Sequence, residues 1–274
     1  MRDMIYIATA LYSEAQPFID KLNLKKDNEI TKFQVFKNKN YTLIITGVGK
    51  IPSAIAVTYL LSKSNIGKDD FFINIGLCGC RDKMVSIGST FICNKIVDND
   101  TGFSYFPDIL FEHPFSEGSI TTYSKVVKGC KSNELLADME ASALFQAAGV
   151  FFQPHQIMFF KIVSDYLTGE FIPNDIVYKY ISNNADKIIE FVDRLNNKFK
   201  LNPLWTEEEK NILHKTSESL KLSVTMENEL TQLLTYYKLK NGDIFNLLAP
   251  YLKVECKSKK EGKIYLEQIK QSIV

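Results

Sequence analysis

Short apolar runs alternate with stretches of helical spacing along most of this chain. Residues 4–10 form a run of strand length, and 14–22 follow with the period of a helix. Phe33, Val35 and Phe36, then Tyr41, Leu43 and Ile45, predict two strands joined through Asn38-Lys39-Asn40, a hairpin signal. Gly47-Val48-Gly49-Lys50 precedes Ile51, Ala54, Ile55, Thr58 and Leu61, which recur at helical intervals. Residues 71–75 read as a buried strand entering a second glycine turn, Gly76-Leu77-Cys78-Gly79, and 87–97 read as another strand. The segment 98–118 reads as a loop rich in aromatics (Phe103, Tyr105, Phe106, Phe111 and Phe115), and loops of this length are often functional. Beyond it the pattern predicts a short strand near 119–123, a helix over 139–149, a strand over 156–163 and a helix over 175–198. Strands alternating with helices, several strands being apolar on both faces, indicate an α/β domain on a mixed, largely buried sheet.

The character changes near residue 200. From Trp205 onward no strand is convincing. Thr206-Glu207-Glu208-Glu209 has the form of a helix start with acids in its first turn. Leu230, Leu233, Leu234 and Tyr237 keep helical spacing, while Gly242-Asp243 and Pro250 mark breaks. The expected organisation is an α/β domain over 1–200 and a small all-helical region over 201–274.

Thirty-three basic residues against 32 acidic ones leave a formal net charge of +1, so no global field argues for nucleic acid or membrane partners. Lys253, Lys257, Lys259, Lys260 and Lys263 read as a solvated helix face. The five cysteines (Cys78, Cys80, Cys93, Cys130 and Cys256) lack metal or redox spacing, Cys78-Gly79-Cys80 being one residue too short, so free thiols in a reducing cytosol are expected. His113, His155 and His214 show no metal-ligand spacing. The early apolar run is short and is soon followed by Glu14, which reads as a first strand rather than a signal peptide. No run is long enough to span a membrane, and a cytoplasmic protein is expected.

Two acidic residues stand where an unpartnered charge would be costly. Glu140 lies in Asp138-Met139-Glu140-Ala141-Ser142-Ala143, among small and apolar residues at the start of a helical pattern. Asp165 follows Ser164 at the end of the apolar run 157–163. Read alone, Glu140 could complement a helix dipole, Asp165 could cap the next turn, and Glu14 could be a solvated acid of an early helix.

Four segments, taken in order, carry more than any one of them. They are Ala10-Leu11-Tyr12-Ser13-Glu14, Thr46-Gly47-Val48-Gly49-Lys50, Asn74-Ile75-Gly76-Leu77-Cys78-Gly79, and the acidic pair with its neighbours. Over residues 4–195 the chain resembles the nucleoside phosphorylase and nucleosidase superfamily, most of all its 5′-methylthioadenosine/S-adenosylhomocysteine nucleosidase branch. The resemblance implies a three-layer α/β/α phosphorylase-like fold with a central mixed sheet, extended here by the C-terminal all-helical appendage. It also implies cleavage of the N-glycosidic bond of a purine nucleoside or thio-nucleoside, without metal or organic cofactor. By the same resemblance, Asp165 protonates the leaving purine at N7, and Glu14 orients or deprotonates the attacking water. Glu140 holds the ribose hydroxyls with Met139 packed on the sugar. Val48, Gly49, Gly76, Leu77, Gly79 and Ser164 are the further substrate-binding positions.

The chemistry agrees with such a division. Breaking the bond builds positive charge on the ribose and negative charge on the base, so an acid serves the base and a carboxylate serves the sugar face. The chain departs from the family pattern at Leu77, where a Ser or Thr is common, and in lacking arginine over 8–14. Both departures favour water over phosphate as the co-substrate. A nucleoside phosphorylase with unusual phosphate contacts is the alternative. The stretch 98–138 is also short, leaving only 119–127 to grip a base; a non-catalytic nucleoside-binding or interaction protein is thus a further reading. A homo-oligomer is implied, with the aromatic loop at 103–115 as its candidate contact; that loop could equally cover the core or stack on a base.

Overall fold

The first apolar run forms β1 (Ile5–Thr9), buried along its whole length, in a computed structural model that describes residues 4–129, 134–201, 205–252 and 254–273. Cys130 and Lys253 lie outside the described residues. After β1 come α1 (Tyr12–Lys21), β2 (Lys25–Lys26), β3 (Gln34–Lys37), β4 (Tyr41–Ile45), α2 (Lys50–Ser62) and β5 (Phe71–Cys80). Then follow β6 (Thr90–Asp98), β7 (Ser104–Tyr105), β8 (Ser116–Thr122), β9 (Leu136–Asp138), α3 (Ala141–Ala148), β10 (Ile157–Asp165) and α4 (Asn174–Leu201). The chain divides into two compact units, residues 1–197 and 198–274.

The strand β5 organises the first unit. One of its edges pairs in parallel with β10 from Phe72 to Gly79. Its other edge changes partner along its length. Phe71 to Asn74 pair in parallel with β1, whereas Gly79 and Cys80 pair antiparallel with β9. Because β10 also pairs with β6, β6 with β8 and β8 with β9, these five strands close on themselves. The β3–β4 hairpin forms as its turn residues predict, and β4 continues the sheet beyond β1.

Neighbouring residues of a strand face opposite layers. On β10, Phe159 stacks on Phe145 of α3, while Phe160 meets Phe191 of α4 nearly edge-on. Tyr6, Ala8 and Phe159 share a core with Val57 and Leu61 of α2 and Leu144 of α3. Lys21 of α1 pairs with Asp186 of α4 at 2.8 Å on the other side. The result is the expected α/β/α layering.

Three local expectations are corrected, and one further strand, β9, enters. Residues 76–79 do not turn; they continue β5, held straight by the ladder to β10. A Cβ at Gly79 would stand 2.3 Å from Leu167 Cδ2, so any side chain there would require Leu167 to move. The helix expected from 139 begins at Ala141, with Glu140 as its N-cap. The preceding strand β9, three residues long, is too short to show a period. The segment 98–118 contains β7 and the start of β8, so it is not wholly a loop.

Residues 198–274 fold around a separate core that includes Trp205, Leu220, Leu230, Leu234, Ile244 and Leu266. Its helices are α5 (Glu207–Ser219), α6 (Val224–Asn241), α7 (Phe245–Leu248) and α8 (Lys259–Ile273). The Thr206 side chain accepts the Glu209 N–H at 3.2 Å and the Glu209 carboxylate accepts the Thr206 N–H at 2.8 Å, a reciprocal cap that fixes the start of α5. Glu209 is itself buried against Lys238. α6 stops at Gly242, whose φ of +79° suits glycine. Among the described residues no helix is long and apolar enough to cross a membrane.

Candidate active site

Between the last β1 pairing at Asn74 and the first β9 pairing at Gly79, one edge of β5 has no strand beside it among the described residues. A strand N–H left in such a gap needs another acceptor. Glu14 of α1 supplies it: its Oε1 accepts the Leu77 N–H at 3.0 Å, while Oε2 accepts those of Ala10 and Leu11 at 2.9 and 3.0 Å. Glu14 is only 4% exposed, unlike an ordinary early-helix acid. Burial raises its pKa above the usual carboxylate range, and the backbone donors and Lys161 counter only part of that.

A second carboxylate enters from the end of β9. Glu140, 8% exposed, accepts the Gly49 N–H at 2.7 Å through Oε1. Gly49 is the N-cap of α2, and α2 has no acid in its own first turn. Glu140 therefore supplies the negative charge that this helix end favours. Gly47 and Gly49, at φ of +84° and +101°, make the turn that aims this N–H. Burial and the neighbouring Asp138 charge push the Glu140 pKa up to about 7, against the pull of Lys161 and the Gly49 N–H.

Asp165 arrives on β10, where the register with β5 shifts between Val163 and Asp165. It is half-buried, not buried as its place after an apolar run suggests, and it lines the cleft where β10 departs from its register. Its Oδ2 accepts the Ser164 hydroxyl at 2.9 Å, and Oδ1 accepts the Thr168 N–H at 3.2 Å. It thus caps the next turn and still borders open space.

A cleft of about 510 Å³ joins these groups. Glu14, Val48, Leu77, Gly79, Met139, Glu140, Ser164 and Asp165 all line it. Gly49 and Gly76 stand behind the lining: Gly49 holds Glu140, and a Cβ on Gly76 would lie 3.3 Å from Glu14 Oε1. Where a base grip was expected, Lys125, Val126 and Val127 form the wall. The aromatic loop contributes nothing to the lining; Phe115 packs on Phe160 and Phe191, and Phe103 and Phe106 face solvent. Among the described residues no group of His, Cys, Asp and Glu could hold a metal ion.

Sequence reasoning passed over a polar network behind the cleft. Lys161, 1% exposed, donates to Asp138 Oδ2 at 2.8 Å. Asp138 Oδ1 accepts the Thr122 hydroxyl at 2.8 Å, and that hydroxyl accepts the Ser142 N–H at 3.0 Å. The Ser142 hydroxyl continues to Asp98 at 2.7 Å, and Asp98 pairs with Lys50 at 2.9 Å. Burial disfavours the Asp98 charge, but Ser142 and Lys50 outweigh it and hold the carboxyl well below its usual range. The available signal was a lysine at an inward position of the apolar run 157–163, which must find a buried partner.

No family model matches the chain. A 5′-methylthioadenosine/S-adenosylhomocysteine nucleosidase of Marinomonas sp. (strain MWYL1) is 34% identical over 73 residues, which is 26% of this chain and 30% of that relative. Two Staphylococcus relatives of the same name are matched over 46% of their lengths. The chain therefore spans less than half of these three relatives. A relative of that name from Staphylococcus aureus (strain bovine RF122 / ET3-1) is 25% identical over 206 residues, 61% of this chain and 88% of its own length. Among solved structures, the Helicobacter pylori nucleosidase with butyl-thio-DADMe-Immucillin-A superposes with a TM-score of 0.61 at 14% identity, covering 71% of this chain and 99% of that one. Futalosine hydrolase of Helicobacter pylori superposes with a TM-score of 0.58 at 15% identity, over 70% of this chain and 98% of that one. The chain thus shares the fold of these nucleosidase and futalosine hydrolase structures and has partial sequence similarity to 5′-methylthioadenosine/S-adenosylhomocysteine nucleosidases.

Proposed function

We propose that this protein hydrolyses the N-glycosidic bond of a purine nucleoside or 5′-thio-nucleoside. The observation that carries the reading is the convergence of Glu14, Glu140 and Asp165, from three separate elements, on one cleft. Water attacks C1′ of the ribose as its proton passes to the Glu14 carboxylate. The C1′–N9 electron pair leaves with the base, and the Asp165 carboxyl proton goes to N7. Glu140 accepts from the ribose hydroxyls and faces the positive charge that develops on the sugar. Three backbone N–H groups hold Glu14, so the base is oriented before substrate arrives. Positioned acid–base groups typically contribute roughly 10²–10⁴-fold each.

Hydrolysis is favoured over phosphorolysis by charge. Five carboxylates line the cleft (Glu14, Asp138, Glu140, Asp165 and Glu170) against a single cation, Lys125, and no arginine, whereas a phosphate dianion would need cationic or N–H contacts. The Leu77 N–H, which could serve a phosphate, is committed to Glu14. Free base released from a panel of nucleosides and 5′-thio-nucleosides, followed with and without phosphate, tests the proposal. Equal release in phosphate-free buffer is expected, and strict phosphate dependence would overturn hydrolysis.

We further propose that the protein is cytoplasmic and works as a homo-oligomer. Buried free thiols at Cys78, Cys80, Cys93 and Cys256 accord with a reducing compartment. Ile51 and Ile55 on α2 and Phe103 and Phe106 on the 98–118 segment are exposed, and Lys50 ties the start of α2 to that segment through Asp98 and Asp100. Exposed apolar side chains on both segments support an interface there. Light scattering should give a multiple of the chain mass, and Ile51→Glu should return the chain to monomer; a monomeric parent protein would refute the assembly.

A further inference from the structure

Five carboxylates line the cleft, and one of them, Asp138, lies two residues before Glu140 at the end of β9. Against them is set one fully buried ammonium, that of Lys161. Its Nζ is 2.8 Å from Asp138 Oδ2, and it also faces Gly76, where a Cβ would lie 3.7 Å from Nζ and 3.3 Å from Glu14 Oε1. The ammonium is therefore flanked by Asp138 on one side and approached by Glu14 on the other.

The pair is tied to the helix that Glu140 caps. Asp138 Oδ2 accepts the Ala141 N–H at 2.9 Å, and Oδ1 reaches the Ser142 N–H through the Thr122 hydroxyl. The first turn of α3 cannot shift without disturbing Asp138, and Glu140 sits between the two. The charged groups acting on Glu140 are Asp138 from β9, Lys161 from β10 and Glu14 from α1, with the Gly49 N–H at the start of α2. Lys50 is committed to Asp98 and Asp100, while Asp165, Lys125 and Glu170 are further charged groups in the cleft lining.

We propose that Asp138 and Lys161 are a positioning pair for Glu140, fixing its carboxylate at the sugar side of the cleft and governing its charge. Lys161 favours the ionised form on which ribose binding depends. Asp138 limits that pull by holding the ammonium to itself. Lys161 also adds to the field on Glu14, so the carboxyl signal of Glu140 itself, rather than activity alone, reads the pair's effect. What Glu140 binds rests on the nucleosidase reading; the coupling of the three charges does not.

Opposite responses to removal of the two partners distinguish this role from a merely structural one. The full chain is labelled with glutamate carrying ¹³C at the carboxyl, and the Glu140 signal is identified by its loss in Glu140→Gln. Lys161→Gln should raise the Glu140 midpoint, and Asp138→Asn should lower it, each by about one pH unit or more, the scale of a neighbouring full charge. Lys161→Arg, which keeps the charge, should leave the midpoint where it is. Shifts of the same sign, or no shift in Asp138→Asn, would overturn the proposal. If Lys161→Gln does not fold, Asp138→Asn and Lys161→Arg decide it alone. The acidic limb of kcat/KM should move in step with the carboxyl signal. A parent protein that cleaves no nucleoside would end the nucleosidase reading, and the carboxyl titration would still decide the pair.

Discussion

Replacing Asp165 by Asn should lower kcat for base release by roughly 10²–10⁴-fold, the usual contribution of a positioned general acid, with KM little changed. The substitution keeps shape and removes the transferable proton. Asn Oδ1 can still accept the Thr168 N–H, and the Ser164 hydroxyl retains the Cys78 carbonyl at 3.1 Å as an alternative acceptor. Asp165 is half-buried, so no charge is stranded in the core. Stability of the 1–197 unit should therefore stay near that of the parent, as read by circular dichroism during thermal unfolding. The kinetic split is what matters. A rise in KM with kcat intact would make Asp165 a binding residue, and full activity would remove it from the chemistry altogether. Substrates with better leaving groups sharpen the result: the defect should shrink as the departing base needs less protonation.

Much of this site was legible because its chemistry is attached to local signals. Glu140 stands out at a helix start among Met139, Ala141 and Ala143, and Asp165 at the end of an apolar strand. Glycines next to helical spacing mark the turn at 47–49. What escaped notice depends on contacts distant in the chain. Leu77 was read as part of a turn because Gly76 and Gly79 flank it, but the ladder to β10 keeps that stretch extended. The burial of Glu14 follows from a gap beside β5, and no local pattern reveals where a strand changes partner. Asp138 and Lys161 have the same origin. Each looks incidental in its own segment, and only the closure of β5, β9, β8, β6 and β10 puts them 2.8 Å apart. The folding of the C-terminal helices was more accessible, since Thr206 and Glu209 announce their cap within four adjacent positions.

That buried contact leads to the largest stability effect expected in the molecule. Lys161→Met should destabilise the 1–197 unit by about 3–5 kcal/mol, the range seen when one partner of a buried ion pair is removed. Methionine matches the length and apolar character of the lysine stem, so lost packing is a minor part of the cost. The main cost is the Asp138 carboxylate, left 1% exposed on its side chain with no cation at 2.8 Å. Its remaining partners, the Ala141 N–H and the Thr122 hydroxyl, stabilise the charge without neutralising it. Adding Asp138→Asn to Lys161→Met removes the stranded charge and should recover most of the loss. Denaturant unfolding of the parent, both single variants and the double variant gives the coupling directly. Losses that simply add would show that each residue contributes only its own packing. A double variant close to the parent in stability, yet altered in the pH dependence of Glu140, would place the value of the pair in setting the site's charge rather than in holding the fold together.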